Sequence, residues 1–306
     1  MATATPQTGT TVISSARELL LLLDTLIGLP VDPPSLYFDL EGIRLGRFGS
    51  VSLGLLYVTP QLMTYIIDVH ILGGDAFSTT NSTGNSLKTI LESSKIPKVF
   101  FDIRNDSDAL YSHYHIRVNG IIDIQLLELA TRNDSKEFVA GLTRCIEKDS
   151  TVSGVTKQIW QRTKENVSRL YDPQKGGSYE VFNERPLKTE ILQYCRQDVE
   201  LLPALWEVYS CKLRTPEYSF WRPMVREATR ERIKLSQSVG YDGQAKSKVR
   251  EPWDSHNIED SMEDWNDDVM IWGINAGMIL DEDDHWVNPP QKQVLKSSVF
   301  TLVAVV

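Results

Sequence analysis

The pattern of apolar and polar residues predicts strands in the first part of the chain and helices in the second. The segment from Ser15 to Glu18 is typical of a capping box, and we expect a helix from there to about Ile27. Three runs with the composition of strands follow, at residues 36–41, 50–58 and 63–69. Since only a short turn separates the last two runs, they predict an antiparallel meander.

After the meander, strands and helices alternate before the pattern becomes helical. We expect a helix at residues 86–93, a strand at 99–103, a helix at 107–114, a strand at 120–124, and then helices as far as Tyr209. This order predicts an α/β fold with a mixed sheet flanked by helices, in which the later strands run parallel to the first. Ligands bind at the carboxyl ends of central strands in such sheets, so we expect a site at the end of the 36–41 strand.

Two acids interrupt the apolar strand at residues 36–41. Asp39 and Glu41 are two positions apart, and a strand directs such residues to the same face. A buried pair of carboxylates needs a cation or a basic partner nearby. The alternative is a solvated edge strand that carries two unrelated acids.

Two further acidic segments lie later in the chain. Residues 100–108 lead from a buried strand into a helix and contain Asp102, Asp106 and Asp108. For Asp106 and Asp108 the commoner role is to cap the helix or to face its dipole from the first turn. Tyr194 and Asp198 are four residues apart in a helical segment and share one face. The alternative for this second pair is a tyrosine that packs on its own helix beside a solvated aspartate.

Taken together, the three segments resemble the three motifs of DEDDy 3′-to-5′ exonucleases. Asp-x-Glu lies on a first strand, an Asp follows a later strand, and Tyr-x-x-x-Asp lies on a helix. The chain is similar to the proofreading domain of DNA polymerase I and, more closely, to the ribonuclease D-like branch of the DnaQ-like, ribonuclease H-like superfamily. The similarity covers residues 28–212 and includes Ile-Ile-Asp-Ile-Gln at 121–125 and Arg-Pro-Leu at 185–187.

The resemblance implies a ribonuclease H-like fold and a two-metal-ion mechanism. Asp39, Glu41, Asp106 and Asp198 would hold two Mg²⁺ or Mn²⁺ ions, and Tyr194 would orient the attacking water. The implied activity is hydrolysis of phosphodiester bonds at the 3′ end of single-stranded DNA or RNA, with release of nucleoside monophosphates.

Two positions qualify the match. The histidine subgroup of this superfamily carries His five residues before the last Asp; here that residue is Gln193, which favours the tyrosine subgroup. Relatives often carry Asn or His four residues before the second-motif acid, where this chain has Asp102. The choice among Asp102, Asp106 and Asp108 therefore stays open at this point.

Two other functions fit the same pattern. A catalytically silent module with this fold would bind nucleic acid or serve as a scaffold. An endonuclease or another phosphotransferase would use the same carboxylates but leave internal fragments as products.

Charge is distributed unevenly along the chain. The net charge is −9, but the residues from Glu251 onward hold twelve acids and two lysines, so the first 250 residues are close to neutral. A basic segment at residues 221–234 is a candidate contact for nucleic acid, through Arg222, Arg226, Arg230 and Lys234. The alternative is a solvated amphipathic face.

Four segments are expected from these patterns. They are a flexible N-terminus at residues 1–13, an exonuclease domain at 14–215, a basic helical extension at 216–250, and an acidic tail at 251–306 that is solvated or disordered.

Cysteine usage and hydropathy indicate an intracellular protein. Cys145, Cys195 and Cys211 have neither disulfide nor zinc-site spacing, which favours a reducing compartment, the nucleus or the cytoplasm. The longest apolar run, at residues 19–23, is too short for a membrane anchor, and its acidic flanks do not fit a signal peptide.

Overall fold

A mixed sheet organises the first of two structural units, which divide the chain after Asp254. The computed structural model describes residues 9–250, 252–253, 255–281 and 285–289. Within these residues the sheet has six strands, which are β1 (Gly9–Ile13), β2 (Leu36–Glu41), β3 (Leu53–Val58), β4 (Met63–Ile67), β5 (Lys98–Phe100) and β6 (Ile121–Asp123). Their order is β1-β4-β3-β2-β5-β6, with β2, β3 and β4 antiparallel and β5 parallel to β2. The predicted fold class is confirmed.

Helices cover this sheet and continue to the end of the first unit. They are α1 (Ala16–Thr25), α2 (Val69–Leu72), α3 (Asp75–Ser78), α4 (Leu87–Glu92), α5 (Arg104–Tyr114), α6 (Ile124–Thr131), α7 (Leu142–Lys148), α8 (Gly154–Tyr171), α9 (Thr189–Glu200), α10 (Leu202–Leu213) and α11 (Trp221–Ser236). The predicted capping box begins α1, with the Ser15 hydroxyl accepting from the Glu18 N–H. α9 packs on β2, β3, β4 and α8.

The alternation of side chains along β2 separates the core from the acids. Leu36, Phe38 and Leu40 point into a hydrophobic cluster that also contains apolar residues of α1, α4 and α5. Phe38 stacks on Phe100 of β5 with ring centroids 5.7 Å apart. Asp39 and Glu41 alternate with these apolar residues along β2, so they face the other side of the sheet, which α9 covers.

Two expectations about the ends of the first unit need correction. Residues 9–13, which were expected to belong to a flexible N-terminus, form β1 and pair in parallel with β4; residues 1–8 lie outside the described part. The predicted basic extension is integrated in the first unit, since α11 packs on α5 and α6. Trp253, which the prediction placed in the acidic tail, is buried against Trp221 with ring centroids 5.1 Å apart.

The second unit contains helix and hairpin where the sequence predicted a solvated or disordered tail. Its elements are α12 (Ser255–Asp268), a π-helix (Val269–Asn275), and the antiparallel strands β7 (Ile279–Leu280) and β8 (Trp286–Val287). Trp265 and Trp286 lie together with ring centroids 6.3 Å apart. In the portion of the chain that is described, no helix has both the length and the hydropathy to cross a bilayer.

Candidate metal and catalytic site

Three of the four predicted metal ligands converge on one point. Asp39 and Glu41 come from the end of β2 and Asp198 from α9, and each offers a carboxylate oxygen within 4.8 Å of the others. Asp198 is buried, and the two β2 acids are partly buried. Oxygen atoms at this spacing can share one cation, and the three acids come from the first and third of the sequence motifs.

A loop that is closed at its base fixes the β2 side of the site. The Ser52 N–H donates to the Glu41 carbonyl at 2.8 Å, which closes the loop between β2 and β3. Gly42 follows Glu41 directly, and a Cβ at this position would lie 1.9 Å from the Ser50 carbonyl oxygen. Only glycine allows this close approach of the two backbones.

Polar contacts from the sheet fix the segment that leads into α9 and the end of the helix itself. Arg185 makes a two-pronged ion pair with the buried Asp68, with Nη2 donating to Oδ1 at 2.6 Å. The Ser52 hydroxyl donates to Asn183 at 2.7 Å, and Thr64 donates to Glu200 at 2.9 Å. These contacts hold Asp198 at a defined distance from β2.

Asp106 lies beside the three-acid cluster but outside it. It is buried in the first turn of α5, and its Oδ1 has no hydrogen-bond partner. Burial and the negative charge of Asp39 raise the pKa of Asp106 well above its ordinary value. A buried carboxylate oxygen without a donor needs a proton, a water or a cation.

The other two acids of the second motif are already paired. Asp102 accepts from Arg104 at 2.5 and 2.7 Å; although burial opposes its charge, this partner and Arg232 hold the pKa of Asp102 below its ordinary value. Asp108 accepts from the backbone N–H and the Nε of Arg47, both at 2.8 Å. Of the three acids, Asp106 is therefore the one that faces Asp39 with a free oxygen.

Tyr194 lies on the same face of α9 as Asp198. Its hydroxyl is within hydrogen-bond reach of Glu41, and its ring is 5.5 Å from that of Tyr171. Burial and the neighbouring carboxylates raise the pKa of Tyr194 well above its ordinary value. The phenol is therefore protonated at neutral pH and can donate a hydrogen bond.

Lys164 of α8 is a member of the site that the sequence analysis missed. Its Nζ lies 3.2 and 3.4 Å from the two carboxylate oxygens of Asp198. It also lies 4.9 Å from the ring centroid of Trp160. One signal was present in the sequence, because Trp160, Lys164, Val167 and Tyr171 form a helical stripe in which lysine interrupts aromatic and apolar residues.

The electrostatics of the cluster favour a bound cation. Burial and the charge of Asp198 raise the pKa of Asp39 to about 7, and burial and Asp39 raise that of Glu41 well above its ordinary value. The donor set consists of carboxylate oxygens, which suits hard divalent ions such as Mg²⁺ and Mn²⁺. Together with the free oxygen of Asp106, these residues fit the implied metal site.

A groove with aromatic and basic walls is lined by the loop that follows β2. Phe48 is 89% exposed at the tip of the loop that follows Glu41. With Arg44, Arg47, Tyr179 and Tyr241 it lines a cavity of about 380 Å³. Tyr179 stacks on Tyr171, which links this groove to Tyr194.

The four residues predicted to contact nucleic acid lie on a different element. Arg222, Arg226, Arg230 and Lys234 are on α11; Arg230 and Lys234 are exposed, and Lys234 pairs with Glu231 at 3.3 Å. A fifth basic residue of α11, Arg232, is buried and donates to Asp123 at 2.7 Å. The role of the first four stays a prediction.

Comparisons with known proteins bear on the whole of this site. A family model described as 3′-5′ exonuclease matches residues 21–210, which contain every residue of the cluster. The piRNA biogenesis protein EXD1 of Mus musculus is 35% identical over 89 residues, 29% of this chain and 14% of that protein. The protein of the same name from Danio rerio is 32% identical over 84 residues, 28% of this chain and 21% of that protein. The matches thus span about a fifth or less of these relatives.

Solved structures share the fold at low sequence identity. Trypanosoma brucei RNase D, in complex with RNA U12, superposes with a TM-score of 0.62 at 17% identity, covering 83% of this chain and 79% of that one. Escherichia coli RNase D gives a TM-score of 0.50 at 17% identity, covering 75% and 51%. Since the family model matches well over half of the residues, this chain belongs to the 3′-5′ exonuclease family.

Proposed function

We propose that this chain is a divalent-metal-dependent 3′-to-5′ exonuclease that releases nucleoside monophosphates from single-stranded nucleic acid. The observation that carries the proposal is the convergence of Asp39, Glu41 and Asp198 within 4.8 Å, although the first two are on a strand and the third is on a distant helix. Carboxylates at this distance repel one another, and a divalent cation bound between them would remove that repulsion.

In this proposal the four acids hold the divalent ions. Asp39 is the central ligand because it is close both to the Glu41 and Asp198 pair and to Asp106. Asp106 binds from the other side, with its free Oδ1 directed to a cation or to a water. When bound, divalent ions supply a nucleophilic water and stabilise the leaving oxygen.

In this proposal Tyr194 positions the attacking water and does not take a proton from it. In the metal-free cluster its raised pKa keeps the phenol protonated at neutral pH, so it serves as a hydrogen-bond donor there rather than as a base. The hydroxyl is within reach of Glu41, so it can donate a hydrogen bond that orients the attacking water. Loss of the hydroxyl alone is therefore expected to lower the rate constant more than the affinity for substrate.

The aromatic groove is the proposed path of the strand. Exposed aromatic rings stack on nucleobases of any sequence, and nearby arginines bind phosphates. Phe48 and Tyr179 supply the rings, and Arg44 supplies a cation in the same cavity. The similar trypanosome RNase D was solved with RNA, so single-stranded RNA is the first substrate to test.

A degradation assay tests the proposal. Single-stranded RNA and DNA labelled at the 5′ end are incubated with Mg²⁺, Mn²⁺ or EDTA, and product lengths are followed in time. We expect stepwise shortening that needs the metal and is abolished in Asp39→Ala and Asp198→Asn. Glu190→Gln is the matched control, since it makes a comparable acid-to-amide change at an exposed position of the same helix.

The same assay separates the alternatives. Internal fragments at early times would instead indicate an endonuclease. A silent nucleic-acid-binding module is the second candidate, favoured by one contact: the Lys164 ammonium already neutralises Asp198 without any metal. Metal-independent binding with no shortening of either substrate would establish that candidate.

A further inference from the structure

We propose that Lys164 is a built-in competitor of the divalent ion at Asp198, and that it sets the metal concentration at which the site fills. The inference rests on the proposed function only in that divalent ions bind the carboxylate cluster. It concerns a residue of α8, an element outside the three acidic motifs.

The ammonium of Lys164 lies against the carboxylate of Asp198 and close enough to Asp39 and Glu41 to interact with their charges. Nζ lies 3.2 Å from Oδ1 and 3.4 Å from Oδ2, so both oxygens of this carboxylate face the same cation. Asp198 is the most buried acid of the cluster, with 6% of its side chain exposed. An ion that coordinates Asp198 from the cluster side therefore has to displace the lysine.

Two aromatic rings also attract the ammonium of Lys164 and stabilise it beside Asp198. Nζ lies 4.9 Å from the ring centroid of Trp160 and 5.6 Å from that of Tyr194, distances at which a cation is attracted to the face of a ring. Trp160 is buried on the same helix as Lys164, and Tyr194 is buried on α9. The metal-free site is thus stabilised by a cation from its own chain.

The side chain of Lys164 can also leave the cluster. Its side chain is 27% exposed, and its four-carbon stem is flexible, so the ammonium can turn towards solvent when an ion enters. α8 itself need not move, because only the end of the side chain lies in the cluster. Metal binding and release of the lysine are therefore one linked equilibrium.

Direct metal titration tests this equilibrium without an activity assay. Binding of Mn²⁺ to the full chain is measured by calorimetry for the wild type, Lys164→Gln and Lys164→Arg. We expect Lys164→Gln to bind Mn²⁺ about tenfold more tightly, because a competing charge at ion-pair distance is removed. Lys164→Arg keeps the charge and is expected to stay closer to the wild type.

Lys157→Gln is the matched control. It removes the same charge from the same helix, at a lysine whose Nζ donates to the Glu147 carbonyl rather than to the cluster. Its dissociation constant for Mn²⁺ is expected to equal that of the wild type. If Lys164→Gln binds Mn²⁺ no more tightly than the wild type, the inference is wrong while the proposed function stands; if neither binds Mn²⁺, both fail.

Lysine labelling of the wild type gives a second test that does not depend on how well a variant folds. Reductive methylation of Lys164 is followed by mass spectrometry with and without saturating Mn²⁺, with Lys157 as the internal reference. The ammonium held by Asp198 is expected to react slowly, and to react several times faster once the ion has displaced it. A rate at Lys164 that does not change with Mn²⁺ would overturn the proposal.

Discussion

Asp102, Asp106 and Asp108 lie within one short segment, yet each has a different set of neighbours. Asp102 pairs with the adjacent Arg104, and Asp108 pairs with Arg47 from the loop after β2. Asp106 lies between them without a basic partner at its Oδ1. The sequence alone did not show which of the three acids is the metal ligand. The arginine that neutralises Asp108 is distant in the chain, and only the folded structure brings it close.

Exchanging the acids of this segment for amides should separate activity from stability. Asp106→Asn is expected to lower exonuclease activity at least about 100-fold without loss of stability, since it removes a carboxylate that other acids repel. Asp108→Asn is expected to cost about 3 kcal/mol, because Arg47 loses a buried partner. Rates and thermal melting of both variants check this, and equal rates for the two would contradict the assignment of Asp106.

The raised pKa of Asp39 makes the stability of the metal-free protein depend on pH. The folded protein holds a proton on Asp39 up to pH about 7, whereas the unfolded chain releases it near 3.8. The resulting stabilisation is complete below the lower value and is lost as the pH rises to the upper one.

Denaturation in EDTA between pH 4.5 and 8 measures this dependence. The free energy of unfolding of the wild type should fall with rising pH in that window, and Asp39→Asn should flatten the slope. Mg²⁺ should restore stability mainly at the upper end, where the acids are ionised and bind it. A wild-type slope identical to that of Asp39→Asn would show that Asp39 does not titrate there.

At the scale of elements, the alternating pattern of β2 was sufficient to predict both its bounds and its acidic face. Residues 36–41 form the strand as expected, with Asp39 and Glu41 on the side opposite the core. β1 was missed because its residues gain their strand structure from pairing with β4, about fifty residues later. Lys164 of α8 was missed for the same reason. The sequence of an amphipathic helix does not show which distant acid its lysine will contact.

The loop after β2 should be sensitive to one added methyl group. In Gly42→Ala the new Cβ would meet the Ser50 carbonyl oxygen at 1.9 Å, so the loop has to open and Glu41 has to shift. We expect a stability loss of about 1–3 kcal/mol and at least a tenfold drop in activity.

Gly54→Ala is the control for this substitution. Gly54 lies in β3, where a Cβ would make ordinary contact with Ile67 at 3.6 Å. Activity assays and melting curves on both variants measure the difference. If Gly42→Ala kept full activity, the close approach at this loop would not be what positions Glu41.

At the scale of the whole molecule, the two units differ in net charge. Residues 255–306 hold ten acids and two lysines, so they carry nearly all of the net charge of −9. The sequence was enough to predict this division, because counting charges needs no structure. It did not predict that α11 belongs to the first unit, which depends on the contacts of Arg232 and Trp221.

Removal of residues 255–306 should strengthen binding to single-stranded nucleic acid. The remaining chain has a net charge close to zero, so repulsion of phosphates is weaker. We expect a dissociation constant several times lower at 50 mM salt and no difference at 500 mM, where charges are screened. Fluorescence anisotropy with labelled RNA measures it.

A shorter deletion is the control for this experiment. Removal of residues 290–306 takes away two lysines and no acid, so it should not tighten binding. If both deletions tightened binding equally, or if the effect persisted at high salt, the acidic charge would not be the cause.

The distance along the chain between β2 and α9 has a consequence for synthesis. A ribosome that has translated as far as α8 has produced Asp39, Glu41 and Asp106, but Asp198 has still to be made. Since domains fold as they emerge, the nascent polypeptide lacks a complete set of ligands until α9 has been translated. If the proposed function holds, the polypeptide therefore cannot cut the messenger from which it is being read before α9 has emerged and packed on β2.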